Sequence, residues 1–146
     1  MFYPIHYFGF DEELIFTYTT GRCWFLVRAL QEECGLEPIA FWADGLIHHV
    51  GALLPDGTIV DVTGVWDRHT WMRKWANYLE VTAGGEPPQD VLLTAPDDRD
   101  WYWYESGELY RNNEMLSEEL YLSHTLGSMV QAIIRILTFK NLLPPQ

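Results

Sequence analysis

The chain has 146 residues, of which 9 are basic and 21 acidic, so its formal charge is -12. This length fits one domain of ordinary size, and a hydrophobic content of 48% is too high for a disordered chain. The charge excludes a simple nucleic-acid binder, because phosphate contacts need clustered Lys and Arg. It allows a basic partner, or a protein that itself presents negative charge as DNA does.

The predicted elements, in chain order, mix helices with a sheet built from hairpins. They are an apolar arm over residues 1–10, a helix from Gly21 to Glu33, a strand from Pro38 to Trp42, two strands from Ile47 to Leu54 and from Thr58 to Thr63, a helix from Trp66 to Leu79, a strand from Asp90 to Ala95, a strand from Trp101 to Tyr104 and a long helix from Ser117 to Lys140. We predict one α+β domain over residues 1–146, with a soft boundary at the Gly/Pro loop 84–88.

The cysteines and the N-terminal segment predict the compartment. Cys23 and Cys34 are too few for a disulfide scaffold, and a helix between them would hold them about 16 Å apart, beyond disulfide reach. The N-terminal segment has acids at positions 11–13 and lacks the basic region of a signal peptide. Polar residues interrupt the most apolar window, so we expect no membrane span and a cytoplasmic protein.

The loop between the two central strands predicts their register. Pro55-Asp56-Gly57 fits a three-residue connection, with Gly in the left-handed region. That loop places His49 and Asp61 on one face of the sheet, and apolar side chains alternate on the other. Adjacent strand residues point to opposite faces, so only one of two neighbouring histidines can join Asp61. A two- or four-residue loop would select His48, which remains the alternative base.

The start of the first predicted helix carries a candidate nucleophile, Cys23. Free N–H groups and the macrodipole at a helix N-terminus lower the pKa of a thiol, and Arg22 adds positive potential. A nucleophilic thiol also needs a base, usually His, and a group that orients that His. His49 and Asp61 supply both. No CxxC or HxxxH spacing supports a zinc site, and we expect neither a metal nor a cofactor.

A resemblance to a known family rests on two segments of the sequence, GRCWFLVRAL and HHVGALLPDGTIVDVTG. Over about residues 20–65 they resemble the core of the papain-like cysteine hydrolases, with the NlpC/P60 and transglutaminase-like members nearest. There a Cys begins the central helix, a His precedes a Val-Gly-type strand, and a polar residue follows on the next strand. The resemblance implies that a helix bearing Cys23 packs on an antiparallel sheet, with His49 and Asp61 completing a catalytic triad.

The resemblance also implies an activity. Cys23 would attack the carbonyl of an amide or isopeptide bond in a peptide or protein substrate, giving hydrolysis or acyl transfer without a cofactor. Papain-type members have a Gln upstream of the Cys, whereas residues 15–20 contain neither Gln nor Asn. Tyr18 or Thr19, with the backbone N–H of Cys23, is therefore the candidate donor to the oxyanion.

An alternative prediction is a non-enzymatic interaction protein that binds a basic partner. Residues 86–119 hold almost half of the acidic side chains, and WYWY at 101–104 would give a strand a Trp-rich face. Such a chain suits an inhibitor that imitates nucleic acid, as some phage anti-defence proteins do, or a papain-like scaffold with an idle triad. The candidate binding residues are Trp101, Trp103, Asp97, Asp98 and Asp100. The usual role of such features, a solvated acidic face and an edge strand covering the core, stays open.

Overall fold

The fold was determined as a computed structural model. It describes residues 2–19, 22–97, 99–100 and 116–144, and for residues 116–124 it describes the backbone only. The described part is an α+β structure of four helices and one antiparallel sheet of six strands. This confirms the α+β class predicted from the sequence, with Cys23 at the start of a helix.

The sheet has the strand order β1-β5-β4-β3-β2-β6. The strands are β1 (His6–Tyr7), β2 (Glu37–Ala43), β3 (Leu46–Leu53), β4 (Ile59–Asp61), β5 (Gly64–Trp66) and β6 (Leu92–Thr94), and the helices are α1 (Glu12–Thr19), α2 (Cys23–Cys34), α3 (Arg68–Thr82) and α4 (Leu116–Phe139). The long β3 lies at the centre, next to β2 and β4, so it is the strand best placed to bear a buried site.

The two faces of the sheet carry separate apolar cores. On the face that we call the α2 face, alternate residues of β3, β4 and the positions just after these strands pack with α1, α2 and α4. They are Val50, Ala52, Leu54, Val60 and Val62. On the opposite face, the α3 face, Ile39, Phe41 and Ile59 pack with Trp71 and Trp75 of α3. The predicted alternation is therefore confirmed, since period-two strands send successive side chains to opposite faces.

The β3–β4 hairpin has the predicted register. The backbone N–H of Leu54 donates to the Thr58 carbonyl at 2.8 Å, and Gly57 has a φ of 90°. Ala52 pairs with Val60, and Leu53 pairs with Ile59. Because Gly57 adopts the left-handed conformation without a Cβ clash, the three-residue turn closes at this register.

Several elements differ from the predicted ones. The chain from Thr63 continues as β5 before α3 begins at Arg68, where the Asp67 side chain caps the helix by accepting from the backbone N–H of Thr70. The apolar arm contributes β1, paired with β5, and α1 was not predicted. The predicted strand 101–104 lies outside the described residues.

Neither a bilayer-spanning helix nor a metal-binding cluster is found where the structure is described. Within those ranges, no helix combines the length and hydrophobicity that crossing a membrane requires. The same residues contain no group of three or more His, Cys, Asp or Glu side chains that could hold a metal ion.

Candidate catalytic site

Three elements bring the predicted triad residues into the interior of the protein. Cys23 is the first residue of α2, His49 lies in β3, and Asp61 ends β4. All three side chains are buried, and His49 is fully so. His49 and Asp61 are the only buried polar or charged residues in the described part of the chain. Burying two ionisable groups is costly unless they are paired, so their arrangement calls for a physical account.

The pairing is direct. His49 Nε2 lies 3.3 Å from Asp61 Oδ2, within a hydrogen bond in which the ring N–H donates to the carboxylate. Asp61 Oδ2 also accepts from the indole N–H of Trp71 at 2.9 Å. The other oxygen, Oδ1, accepts from the backbone N–H and the hydroxyl of Thr63. Four donors therefore surround this carboxylate, which offsets the loss of its hydration.

Aromatic rings of α3 hold the imidazole from the side. The His49 ring stacks on Trp75 with centroids 4.0 Å apart, and the Trp71 ring lies 5.5 Å away. Trp71 and Trp75 are one helical turn apart, so both reach the same face of the sheet. Gly51 makes room for this contact, because a Cβ there would lie 3.1 Å from the Trp71 ring and 2.6 Å from Ile59 Cγ2.

The charges around His49 favour its protonated form. Burial by itself would lower the pKa of His49, but the charge interactions with Cys23 and Asp61 and the hydrogen bond to Asp61 raise it to about 9. The charge interaction with Cys23 is the largest of the contributions that raise it. Cys23 and His49 therefore lie near enough for their charges to interact, as a nucleophile and its base must.

A partly buried lysine adds a positive charge beside the carboxylate. Lys74 Nζ lies 4.3 Å from the Trp66 ring centroid and 5.0 Å from that of Trp75. Burial lowers the pKa of Lys74, and the charge of Asp61 opposes that shift. Burial alone would raise the pKa of Asp61, but the hydrogen bond from His49 and the charge of Lys74 hold it well below the usual range. Asp61 is accordingly ionised at neutral pH.

Cys23 approaches the pair from the α2 face. Its side chain is 4% exposed and belongs to the apolar core of that face, whereas His49 packs with α3. The β3–β4 ladder ends at Ala52 and Val60, so His49 has no β4 partner in the sheet. The N-cap residue of α2, Arg22, forms no side-chain capping bond. The helix thus presents its positive end, without a side-chain cap, at the cysteine.

The second ring nitrogen of His49 has no partner. Nδ1 is buried and forms no hydrogen bond with the protein as described. When the ring is neutral and Nε2 carries the proton donated to Asp61, Nδ1 has a free lone pair. That atom is the one available to accept a proton from a thiol.

The alternative base, His48, lies in a different environment because β3 contains a bulge. In the pairing of β2 with β3, Phe41 lies opposite His49, but the next residue, Trp42, lies opposite Ile47. His48 is therefore the extra residue, and its ring lies 6.5 Å from Phe41, a residue of the α3 face. The expectation that the two histidines point to opposite faces is wrong. His48 is exposed, and its Nε2 donates to the Ala43 carbonyl at 3.0 Å.

The two oxyanion candidates differ in their surroundings. Tyr18 is buried in the same core as Cys23, and burial raises the pKa of its phenol, opposed by the charge of Arg22. The Thr19 hydroxyl donates back to the Ile15 carbonyl at 2.7 Å, within α1. The Thr19 hydroxyl therefore already uses its donor within α1. Both assignments stay predictions.

The acidic and aromatic surface is described only in part. Trp101, Trp103 and Asp98 lie outside the described residues. Asp97 and Asp100 exchange hydrogen bonds of 2.9 Å, each side chain accepting from the other's backbone N–H. This reciprocal pattern is typical of a capping box.

Some residues of the site were not identified from the sequence as functional. The Trp repeat at 66, 71 and 75 predicts anchoring of a helix to the sheet, and the i, i+4 spacing of Trp71 and Trp75 was the available signal. Nothing in the local sequence links Trp71 or Lys74 to Asp61.

A separate cavity of about 710 Å³ lies at the C-terminal end of α3. Its lining includes His48, Asp44, Leu79 and Glu86, but none of the triad residues. It is therefore a different feature from the buried site.

Comparison of the chain with protein-family models, with curated proteins and with solved structures gives no match.

Proposed function

We propose that this protein is a papain-like cysteine hydrolase or acyl transferase that acts on amide or isopeptide bonds of a peptide or protein substrate. The observation that supports this most is the state of the His49 ring. Its Nε2 is bound to Asp61, its Nδ1 is free, and Cys23 acts on the same ring. Nucleophile, base and orienting group thus lie on three different elements, in the chain order that papain-like hydrolases show.

The chemistry follows from these positions. His49 Nδ1 takes the proton of the Cys23 thiol, which gives the protonated ring that the surrounding charges favour, and the sulfur attacks the substrate carbonyl to form a tetrahedral oxyanion. The imidazolium returns the proton to the leaving amine as the C–N bond breaks, which leaves a thioester on Cys23. Water or an acceptor amine then attacks the thioester and releases the thiol. Asp61 holds the ring and stabilises the imidazolium in both steps.

The oxyanion needs donors that are fixed before the reaction. The backbone N–H of Cys23, at the start of α2, supplies one, because the first amides of a helix have no intrahelical partner. The Tyr18 hydroxyl, buried in the same core, is the proposed second donor. The arrangement of α2 on an antiparallel sheet supports the papain-like assignment of the core. Both cysteines are free thiols, which supports a reducing, cytoplasmic setting.

The test is an activity screen with matched cysteine variants. Wild type, Cys23→Ser and Cys34→Ser would each be incubated with a mixed peptide library, and cleaved or acyl-transferred products read by mass spectrometry. We expect products from wild type and Cys34→Ser and none from Cys23→Ser, with unchanged circular dichroism. Product formation that survives Cys23→Ser, or its absence from all three proteins, would overturn the proposal.

A second candidate is favoured by the burial of Cys23, whose side chain is only 4% exposed. In that case the triad is idle, and the acidic chain binds a basic protein. A complex that weakens as salt rises and is unchanged by Cys23→Ala would support this candidate, since screened charges would then carry the affinity.

A further inference from the structure

We propose that Trp71 is a positioning residue, which acts through Asp61 to hold the His49 ring in place. The catalytic importance of Trp71 rests on the proposed function, whereas its effect on the His49 ring follows from contacts within the protein. Trp71 is fully buried on the α3 face, and its indole N–H donates to Asp61 Oδ2 at 2.9 Å. That oxygen is the same one that accepts from His49 Nε2.

The length of the His49–Asp61 hydrogen bond makes this role necessary. At 3.3 Å, the N–H···O contact is slightly longer than the usual range for such bonds, so a shift of a few tenths of an ångström ends it. Thr63 restrains only Oδ1, and rotation about that oxygen would move Oδ2 away from the ring. Trp71 supplies the second restraint. It fixes Oδ2 at the position where the imidazole can reach it.

Trp75 offers a matched comparison in the same helix. It stacks on the His49 ring at 4.0 Å, closer than Trp71, yet its indole N–H has no hydrogen-bond partner among the described residues. Replacing Trp75 by Phe removes an unbonded N–H and part of a ring. Replacing Trp71 by Phe removes a similar volume together with the bond to the carboxylate. The two variants therefore separate packing from hydrogen bonding.

The readout is the titration of His49, followed by NMR of the ring carbons and nitrogens. The titratable and charged groups acting on His49 and its carboxylate are Cys23 from α2, Asp61 from β4 and Lys74 from α3. We expect Trp71→Phe to lower the pKa of His49 by about 1, because the displaced carboxylate loses its hydrogen bond to the ring. In Trp75→Phe, the NMR chemical shifts of the His49 ring nitrogens, which report the hydrogen bond to Asp61, should stay unchanged.

Three results would overturn the role of Trp71. An unchanged His49 titration in Trp71→Phe would show that Trp71 only fills space, and a raised pKa would show that it only weakens the carboxylate as an acceptor. An equal loss of the His49–Asp61 bond in Trp75→Phe would show that packing holds the ring. If Trp71→Phe does not fold, hydrogen–deuterium exchange of the indole N–H groups in the wild-type protein tests the role of Trp71 instead. Trp71 N–H should exchange with deuterium more slowly than Trp75 N–H, and Asp61→Asn should reduce that difference; equal exchange in wild type contradicts the role.

The outcomes also separate this inference from the proposed function. A lowered His49 pKa in Trp71→Phe, with no product from wild type in the peptide screen, supports the positioning role and rejects the enzyme. Products from wild type with an unchanged His49 titration in Trp71→Phe reject the positioning role and support the enzyme.

Discussion

His49 and Asp61, on neighbouring strands, share a buried hydrogen bond of 3.3 Å between Nε2 and Oδ2. The three-residue turn of the β3–β4 hairpin sets this relationship, since it places both side chains on the α3 face. A slip of the hairpin by one residue would send Asp61 into the apolar core of the other face. The register thus decides whether the protein contains a His–Asp pair at all.

The first prediction concerns the reactivity of Cys23. Because His49→Gln removes the base that would take the proton of the thiol, it should slow alkylation of Cys23 by iodoacetamide at pH 7 about tenfold. Cys34 is the internal control, since burial and the charge of Glu33 raise the pKa of its thiol. Peptide mass spectrometry measures both rates in one sample. Equal alkylation rates of Cys23 in the two proteins would contradict a Cys–His pair.

The second prediction distinguishes the two histidines of the bulge. His48 donates to the Ala43 carbonyl and is exposed, whereas His49 is bound to Asp61. In His48→Gln, iodoacetamide should therefore alkylate Cys23 at the wild-type rate, within about twofold. The same assay serves for this variant. A decrease as large as that of His49→Gln would assign the base to His48.

The third prediction is a loss of stability in mild alkali. Burial alone would lower the pKa of His49, but Cys23 and Asp61 raise it to about 9, above its ordinary value near 6.5. The folded protein then holds a proton that the unfolded chain has lost. The stabilisation from this proton is complete below about pH 6.5 and disappears as the pH rises through about 9.

Urea unfolding between pH 6 and pH 9.5 measures this effect. The free energy of unfolding should fall with pH more steeply in wild type than in His49→Gln, which has no proton to lose at that position. Parallel curves for the two proteins would show that the folded and unfolded states bind this proton equally.

The fourth prediction concerns the glycine beneath Trp71. A Cβ at Gly51 would lie 2.6 Å from Ile59 Cγ2 and 3.2 Å from the Val60 carbonyl oxygen, so Gly51→Ala forces the α3 face apart. We expect a loss of about 1–3 kcal/mol, as for an overpacked core. Gly127→Ala is the control, because Gly127 lies within α4 with no neighbour inside 4 Å of the added Cβ. It should stabilise the protein by about 0.5–1 kcal/mol. Thermal unfolding gives both values, and a stable Gly51→Ala would refute the close packing.

The fifth prediction tests how the N-terminal strand is held. Gly64 has a φ of 152°, and a Cβ on it would lie 2.0 Å from the His6 carbonyl oxygen. Gly64→Ala should therefore separate β1 from β5 while the rest of the sheet persists. Limited proteolysis should then cleave the first ten residues faster than in wild type. Unchanged cleavage would indicate that β1 adapts within the sheet.

Local sequence determined the central part of this protein. Alternating apolar residues and the Pro55-Asp56-Gly57 turn were enough to predict which face His49 and Asp61 share, because strand period and turn chemistry act over a few residues. The start of α2 at Cys23 was likewise predicted near Gly21 from the apolar spacing. Order along the chain then gave the three candidate residues.

Tertiary structure decided what surrounds them. The bulge that turns His48 and His49 to the same side arises from pairing with β2, which no local pattern specifies. Trp71, Trp75 and Lys74 meet the His–Asp pair only because α3 packs on that face of the sheet. The charge state of His49 depends on Cys23, 26 positions away in the sequence. Burial and charge are sums over neighbours in space, so only the folded chain could fix them.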